Sequence, residues 1–326
     1  MAEITKLRHL TSAGLMDCKK ALAETNGDIE AAVEILRKKG QAVAAKREDR
    51  EASEGCVLAK NEGDFAAVVA LKCETDFVAK NAGFVDLTKK ILDAAMAARP
   101  ATIDDLKAIV LDGQTIADLI VEESGKTGEK MELGAYESIT APSTTSYNHL
   151  GNKLATIVGF NLENVDYQVG RDVAMQVASM NPVAVDRDSV PQAVKDSEYS
   201  VAVDKTKEEQ VKKAVEAALK KAGINPNLVD SEAHIESNIA KGWLTEDEAA
   251  KARVIAKEAA EAKAANLPEQ MIKNIAQGRL NKFFKESCLL EQEFVKDATV
   301  TIGQYLEKAQ KGLVAVEFKR VNLNQD

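Results

Sequence analysis

The stretch GCVLAKNEGDFAAVVALKCE, residues 55–74, is where the chain changes its period. GCVLAKN and FAAVVALKCE are short apolar runs parted by Glu62-Gly63-Asp64, the pattern of two β-strands joined by a tight hairpin. A sheet therefore begins near residue 55. Upstream of it, residues 1–40 read as three short helices over 4–10, 15–24 and 28–39. In the third, Ile29, Ala32, Val33 and Leu36 follow the i, i+3, i+4, i+7 stripe of a packed face. Asp28 is placed to cap its start and Gly40 to close it in a left-handed turn. Residues 41–53, with KREDRE at their centre, hold too few apolar anchors for a core and read as a linker or an exposed helix.

Downstream of the hairpin, residues 83–99 are helical, with Phe84, Leu87, Ile91, Leu92 and Ala95 on one face and Pro100 as the stop. Short helices over 104–111 and 115–124 follow, then strands over 131–140 and 154–161 and a helix over 172–180. Between 197 and 267 the composition shifts to Ala, Lys and Glu, with Val211, Val215 and Leu219 at helical spacing. Gly223 and Asn225-Pro226 break this arm, and the capping-box pair Thr245 and Glu248 restarts it towards Asn266, which predicts a helical hairpin. Its one tryptophan, Trp243 in GWLTEDE, fits either a contact at the hairpin tip or a packing anchor, with packing favoured. Pro268 suits the first turn of a helix over 269–286. Residues 300–306 and 313–321 then return to sheet and helix patterns. The class is α+β.

Composition narrows the function. At 326 residues the chain exceeds the usual single core, and 45% hydrophobic with 29% charged residues fits a globular protein. A net charge of −9 repels phosphate backbones, and 4% aromatic residues leave little for a base-stacking surface, so no direct nucleic-acid partner is expected. The start, MAEITKLRHL, has no apolar signal region and no stretch reaches membrane-span length, which predicts a cytoplasmic protein without a membrane partner. Cys18, Cys56, Cys73 and Cys288 form no C-x-x-C pair and read as buried apolar residues, with no metal site. None of His9, His149 and His234 lies beside a nucleophile signature, and neither a Walker loop nor G-x-G-x-x-G is present. The chain is expected to be no enzyme, to hold no cofactor and to bind no nucleotide itself.

One segment stands apart: CETDFVAKN, residues 73–81, where an apolar strand runs into Thr75-Asp76 and then Phe77-Val78 before a helix. Thr75 or Asp76 can be a helix cap. Phe77, seven residues before Phe84, can be a core side chain or a protruding tip; residue chemistry leaves the two balanced.

TDFVAKNAGF (residues 75–84), TSAGLMDCKKALAETNGDIEAAVEILRKKG (11–40) and GRLNKFFKE (278–286) followed by TVTIGQYL (299–306) together resemble the bacterial elongation factor Ts family. The resemblance spans most of the chain. It implies a ubiquitin-associated (UBA)-like bundle with linker over 1–53 and a core of two related α/β subdomains with antiparallel sheets. The subdomains would cover 54–140 and 141–203 with 268–326, interrupted by a helical hairpin over 204–267. It further implies a guanine nucleotide exchange factor whose partner is the GTPase elongation factor Tu, with an Asp-Phe tip entering near the magnesium and phosphate site. That tip matches Asp76 and Phe77, flanked by Thr75 and Val78. The family's N-terminal contact maps onto Ala13-Gly14-Leu15-Met16, where Leu15 and Met16 fit docking or bundle-core roles equally without the family. A Tyr-x-His element is similar to Tyr147-Asn148-His149, with His149 equally readable as an ordinary surface histidine. Two departures are expected: an arm longer than the family's, which could carry a homodimer contact, and an end at Gln325-Asp326 without the extra C-terminal helix of some relatives.

Overall fold

The computed structural model describes residues 2–11, 13–47, 49–111 and 113–324; the side chains of His9, Val43 and Ala44 and the terminal Gln325 and Asp326 lie outside that description. The fold is α+β with antiparallel sheets and an N-terminal helical bundle. Two compact units are present, one formed by residues 1–185 with 292–326 and the other by 186–291.

In the first unit, α1 (Ala2–Thr11), α2 (Leu15–Glu24) and α3 (Ile29–Ala45) form the bundle. Leu7, Cys18, Ala21, Leu22, Ala32 and Leu36 fill its centre. Asp28 caps α3 as expected, accepting from the Ala31 N–H at 3.0 Å. Gly40 does not close that helix, which continues to Ala45. Its bare Cα meets Gly125 of α7 (Ile116–Thr127), where a Cβ on Gly125 would lie 2.4 Å from the Gly40 Cα. The glycine serves a helix crossing, a tertiary demand invisible in the local sequence.

The hairpin forms as read: β1 (Glu54–Glu62) and β2 (Phe65–Cys73) pair antiparallel from Glu62↔Phe65 to Glu54↔Cys73. Gly63, at φ +58, supplies the positive φ that a two-residue turn requires. β5 (Met131–Thr140) completes the sheet in the order β1-β2-β5. β2 is buried on both faces. Phe65, Ala67, Val69, Leu71 and Cys73 pack with Phe84, Ile91 and Leu92 of α5 (Ala82–Ala98) and with Leu106 of α6 (Ile103–Ala108). Ala66, Val68 and Ala70 face Ala155 and Ile157 on a second sheet. This double burial is why β2 reads as a continuous apolar run.

The second sheet has the order β10-β7-β6, from β6 (Ser143–Asn148), β7 (Leu154–Phe160) and β10 (Ala315–Asn322). α8 (Tyr167–Met180) packs on it, its Ala174 carbonyl accepting from the buried Thr156 hydroxyl at 2.8 Å. That helix starts earlier than read, because Asp166 caps it through the Gln168 and Val169 N–H groups. The expected helix over 104–111 stops at Ala108. Val110–Leu111 instead pair with Gln114–Thr115 as two-residue strands, β3 and β4. Short β8 (Glu293–Phe294) and β9 (Asp297–Thr301) with α13 (Ile302–Ala309) finish the unit.

The second unit is helical: α9 (Gln192–Lys221), α10 (Glu232–Ala240), α11 (Glu246–Ala265) and α12 (Glu269–Ser287). α9 runs unbroken across residue 204, where the arm was expected to begin. The predicted Thr245–Glu248 capping box is present. The predicted simple hairpin is elaborated by α10, which Ser231 caps, and by a 3-10 turn at Pro226–Leu228. Ile235, Leu244 and Ala249 form a small core there. Trp243 is outside it, 65% exposed with Lys241 over its ring, so the favoured packing role is corrected: neighbouring Leu244 fills the core position instead.

Candidate partner-binding tip

β2 ends at Cys73, and within three residues the chain turns into a four-residue helix, α4 (Asp76–Ala79). Thr75 is its N-cap, with extended φ −122 and ψ 153, its hydroxyl oxygen accepting from the Val78 N–H at 3.5 Å. Asn81 caps α5 two residues after α4 ends, accepting from the Gly83 N–H at 2.8 Å. This second cap breaks the helical phase between Phe77 and Phe84, so their seven-residue offset does not put them on one face. Phe84 is buried and Phe77 is 85% exposed. Val78 and Ala79 pack on the core and hold the turn of helix down while the Phe77 ring points to solvent.

Asp76 pairs with Lys80 at 2.6 Å one turn on. That hydrogen bond holds the Asp76 carboxyl below the usual range and pushes the Lys80 ammonium up. Both are surface groups, so the pair orients the tip more than it stabilises the fold.

The base of the tip is laced to the turn between α7 and β5. The Thr75 N–H donates to Glu129 Oε2 at 3.0 Å and its hydroxyl donates to Glu129 Oε1 at 2.6 Å. In return Glu74 Oε1 accepts from the Lys130 N–H at 2.6 Å. Glu74 also pairs with Arg50 at 2.9 Å and Arg47 at 3.5 Å. The Lys130 N–H above all, with Arg50 and Arg47, keeps the Glu74 carboxyl below its ordinary range. Glu74 and Glu129 escaped the sequence reading. Glu129 lies 54 residues from Thr75, and nothing local in TGEKME marks it as a partner.

The other predicted contacts sit elsewhere on the first unit. Leu15 and Met16, in the first turn of α2, are 52% and 62% exposed, while Cys18, Ala21 and Leu22 take the interior; neither is bundle core. His149 follows β6 and is exposed, its Nδ1 2.9 Å from the Tyr147 hydroxyl. Arg171 lies over the Tyr147 ring, 5.8 Å from its centroid. Thr75, Asp76, Phe77 and Val78 are thus one structural element. The α2 start and the β6–β7 turn are separate exposed points.

All four cysteines are buried. Burial pushes the Cys73 thiol up to about 12 and the Cys288 thiol to about 11, the opposite of an activated nucleophile. Among the described residues no group of three or more His, Cys, Asp or Glu could hold a metal ion, and no helix is long and apolar enough to cross a membrane.

A sequence profile of the family described as Elongation factor TS matches residues 74–221 and 203–325. The elongation factor Ts of Phocaeicola vulgatus is 58% identical over 327 residues, covering 100% of this chain and 99% of that protein. That of Bacteroides thetaiotaomicron matches to the same extent, and that of Porphyromonas gingivalis is 47% identical over 325 residues. The chain belongs to the elongation factor Ts family. Its members are translation elongation factors. Matches over 99% of their own length mean that these elongation factor Ts relatives carry an arm of the same extent.

Proposed function

We propose that the chain is a guanine nucleotide exchange factor in translation elongation. It binds elongation factor Tu carrying GDP and promotes GDP release by pressing the Asp76-Phe77 tip near the magnesium and phosphate site. The observation that carries this reading is the 85% exposure of Phe77 on a helix turn capped, paired and packed from behind. A large apolar ring held rigidly in water is poised to be buried in a partner.

A GTPase holds GDP through phosphate contacts and Mg²⁺, so moving either removes charge-assisted interactions that dominate the affinity. Phe77 serves as the wedge. Asp76 positions it and brings a carboxylate towards the metal region, while Thr75 and Val78 fix the helix turn. Leu15 and Met16 dock the bundle, and His149 adds a contact from the second sheet. Linkage requires nucleotide to weaken factor binding by the factor that the protein weakens nucleotide binding, so GTP ejects the exchange factor once exchange is done. The cycle involves no covalent chemistry and no resident cofactor.

The test is to mix the purified chain with elongation factor Tu loaded with fluorescent GDP and to follow release at varied Mg²⁺. The expected result is acceleration over the intrinsic rate that is largest at saturating Mg²⁺ and shrinks as Mg²⁺ is withdrawn, because loss of the metal alone already weakens GDP binding. Release at the intrinsic rate at every Mg²⁺ concentration would remove the proposal.

A further inference from the structure

The reciprocal lacing behind the tip has a donor pattern that one residue controls. Glu129 uses both carboxylate oxygens on Thr75, one for the N–H and one for the hydroxyl. With its hydrogen committed to Glu129, the Thr75 hydroxyl can present only a lone pair to the Val78 N–H, as an N-cap must. Glu129 is itself fixed. Gly128, at φ +73, closes α7 in the left-handed region, the Ser124 hydroxyl donates to the Glu129 carbonyl, and the Glu129 N–H donates to Thr127 Oγ1 at 3.3 Å. The brace runs from a helix C-terminus to a helix N-cap and ends two residues before the exposed ring.

We propose that Glu129 is a positioning residue for nucleotide exchange, acting through Thr75 to preset the direction in which α4 presents Phe77. The inference rests on the tip reading above. A four-residue helix has too few backbone bonds to hold its own geometry. Without the brace, Thr75 loses the acceptor that orients its hydroxyl, and the tip samples directions that must be narrowed again on binding, which lowers the rate at which it engages.

The experiment uses the full chain as wild type, Glu129→Ala, Glu129→Gln, Phe77→Ala and the Glu129→Ala/Phe77→Ala double variant. Release of fluorescent GDP from elongation factor Tu is read at subsaturating factor, and hydrogen–deuterium exchange is read across residues 65–80. Glu129→Ala is expected to slow release about tenfold, the scale of a lost N-cap orientation. Glu129→Gln, which keeps one acceptor oxygen, should slow it about threefold. In the Phe77→Ala background Glu129→Ala should add less than a further twofold, because it acts through the ring. Amides of 76–80 should exchange about tenfold faster while those of β2 stay unchanged. Wild-type release by Glu129→Ala, or effects of Glu129→Ala and Phe77→Ala that simply multiply, would overturn the brace. So would faster exchange spread equally over β2. Should Glu129→Ala not fold, Glu129→Gln carries the same comparisons. If Phe77→Ala itself releases GDP at the wild-type rate, the tip reading fails; a slow Phe77→Ala beside a normal Glu129→Ala removes the brace alone.

Discussion

Replacing Phe77 by Ala separates binding from folding, because the free protein already leaves this ring in solvent. At 85% exposure the ring contributes almost no burial to the unbound fold. The substitution should therefore stay within about 0.5 kcal/mol of wild-type stability, a melting shift of about 1–2 °C. In complex the same ring has nearly its whole burial free energy still to gain, about 1.5–3 kcal/mol for a Phe side chain. Each 1.4 kcal/mol is tenfold, so release of GDP from elongation factor Tu at subsaturating factor should slow by about 10- to 150-fold. Stopped-flow fluorescence of labelled GDP against factor concentration reads the change directly, and a thermal melt of the free variant is the control. A release curve within twofold of wild type would refute the wedge. A fall of several degrees in the melt would show that the ring supports the fold after all.

Other outcomes follow from the packing and the charges. Gly125→Ala puts a Cβ 2.4 Å from the Gly40 Cα and must push α3 off α7, at a cost of about 1–3 kcal/mol. Gly40→Ala meets only a 3.5 Å contact and should be neutral or better. Limited proteolysis between 41 and 53 should rise in the first variant alone, and equal behaviour of the two would contradict the crossing. For Glu74, the folded-state carboxyl is depressed, so its stabilisation is complete above the unfolded value of about 4.3 and disappears as pH falls through the lower folded value. The melting gap between wild type and Glu74→Gln should then be on the order of 1 kcal/mol at pH 7 and shrink as pH falls below the unfolded value; a gap independent of pH would exclude the ion pairs as its source. Burial pushes the Cys73 thiol up to about 12, so it stays protonated at pH 8. An aromatic disulfide reagent should react with the native protein's four thiols only as it unfolds, and rapid native labelling would count against their burial.

The parts of the fold that sequence revealed are those whose reason is local. Gly63 with flanking apolar runs marked the hairpin, Asp28 and Thr245 marked helix starts, and Pro100 marked a stop. What was missed has a distant cause. β6 reads as polar STTSYN, yet it pairs with β7, and Asn61 of β1 bonds the Ser146 N–H and the Thr144 carbonyl. Gly40 looked like a helix end because its use, contact with Gly125, is a tertiary one. For the tip, residue types at 75–78 were visible at once, but the outward direction of Phe77 depends on the second cap at Asn81. Its stiffness depends on Glu129, which only the folded chain brings near.

Trp243 is the single tryptophan of the chain and stands in water, in the unit formed by residues 186–291. Ultraviolet emission excited at the red edge is therefore a beacon mounted on the arm alone, silent about the sheets and the tip. Phe77 carries no useful emission of its own, so this signal belongs to the 186–291 unit. Native fluorescence then reports whether anything touches the arm, without a dye on the protein.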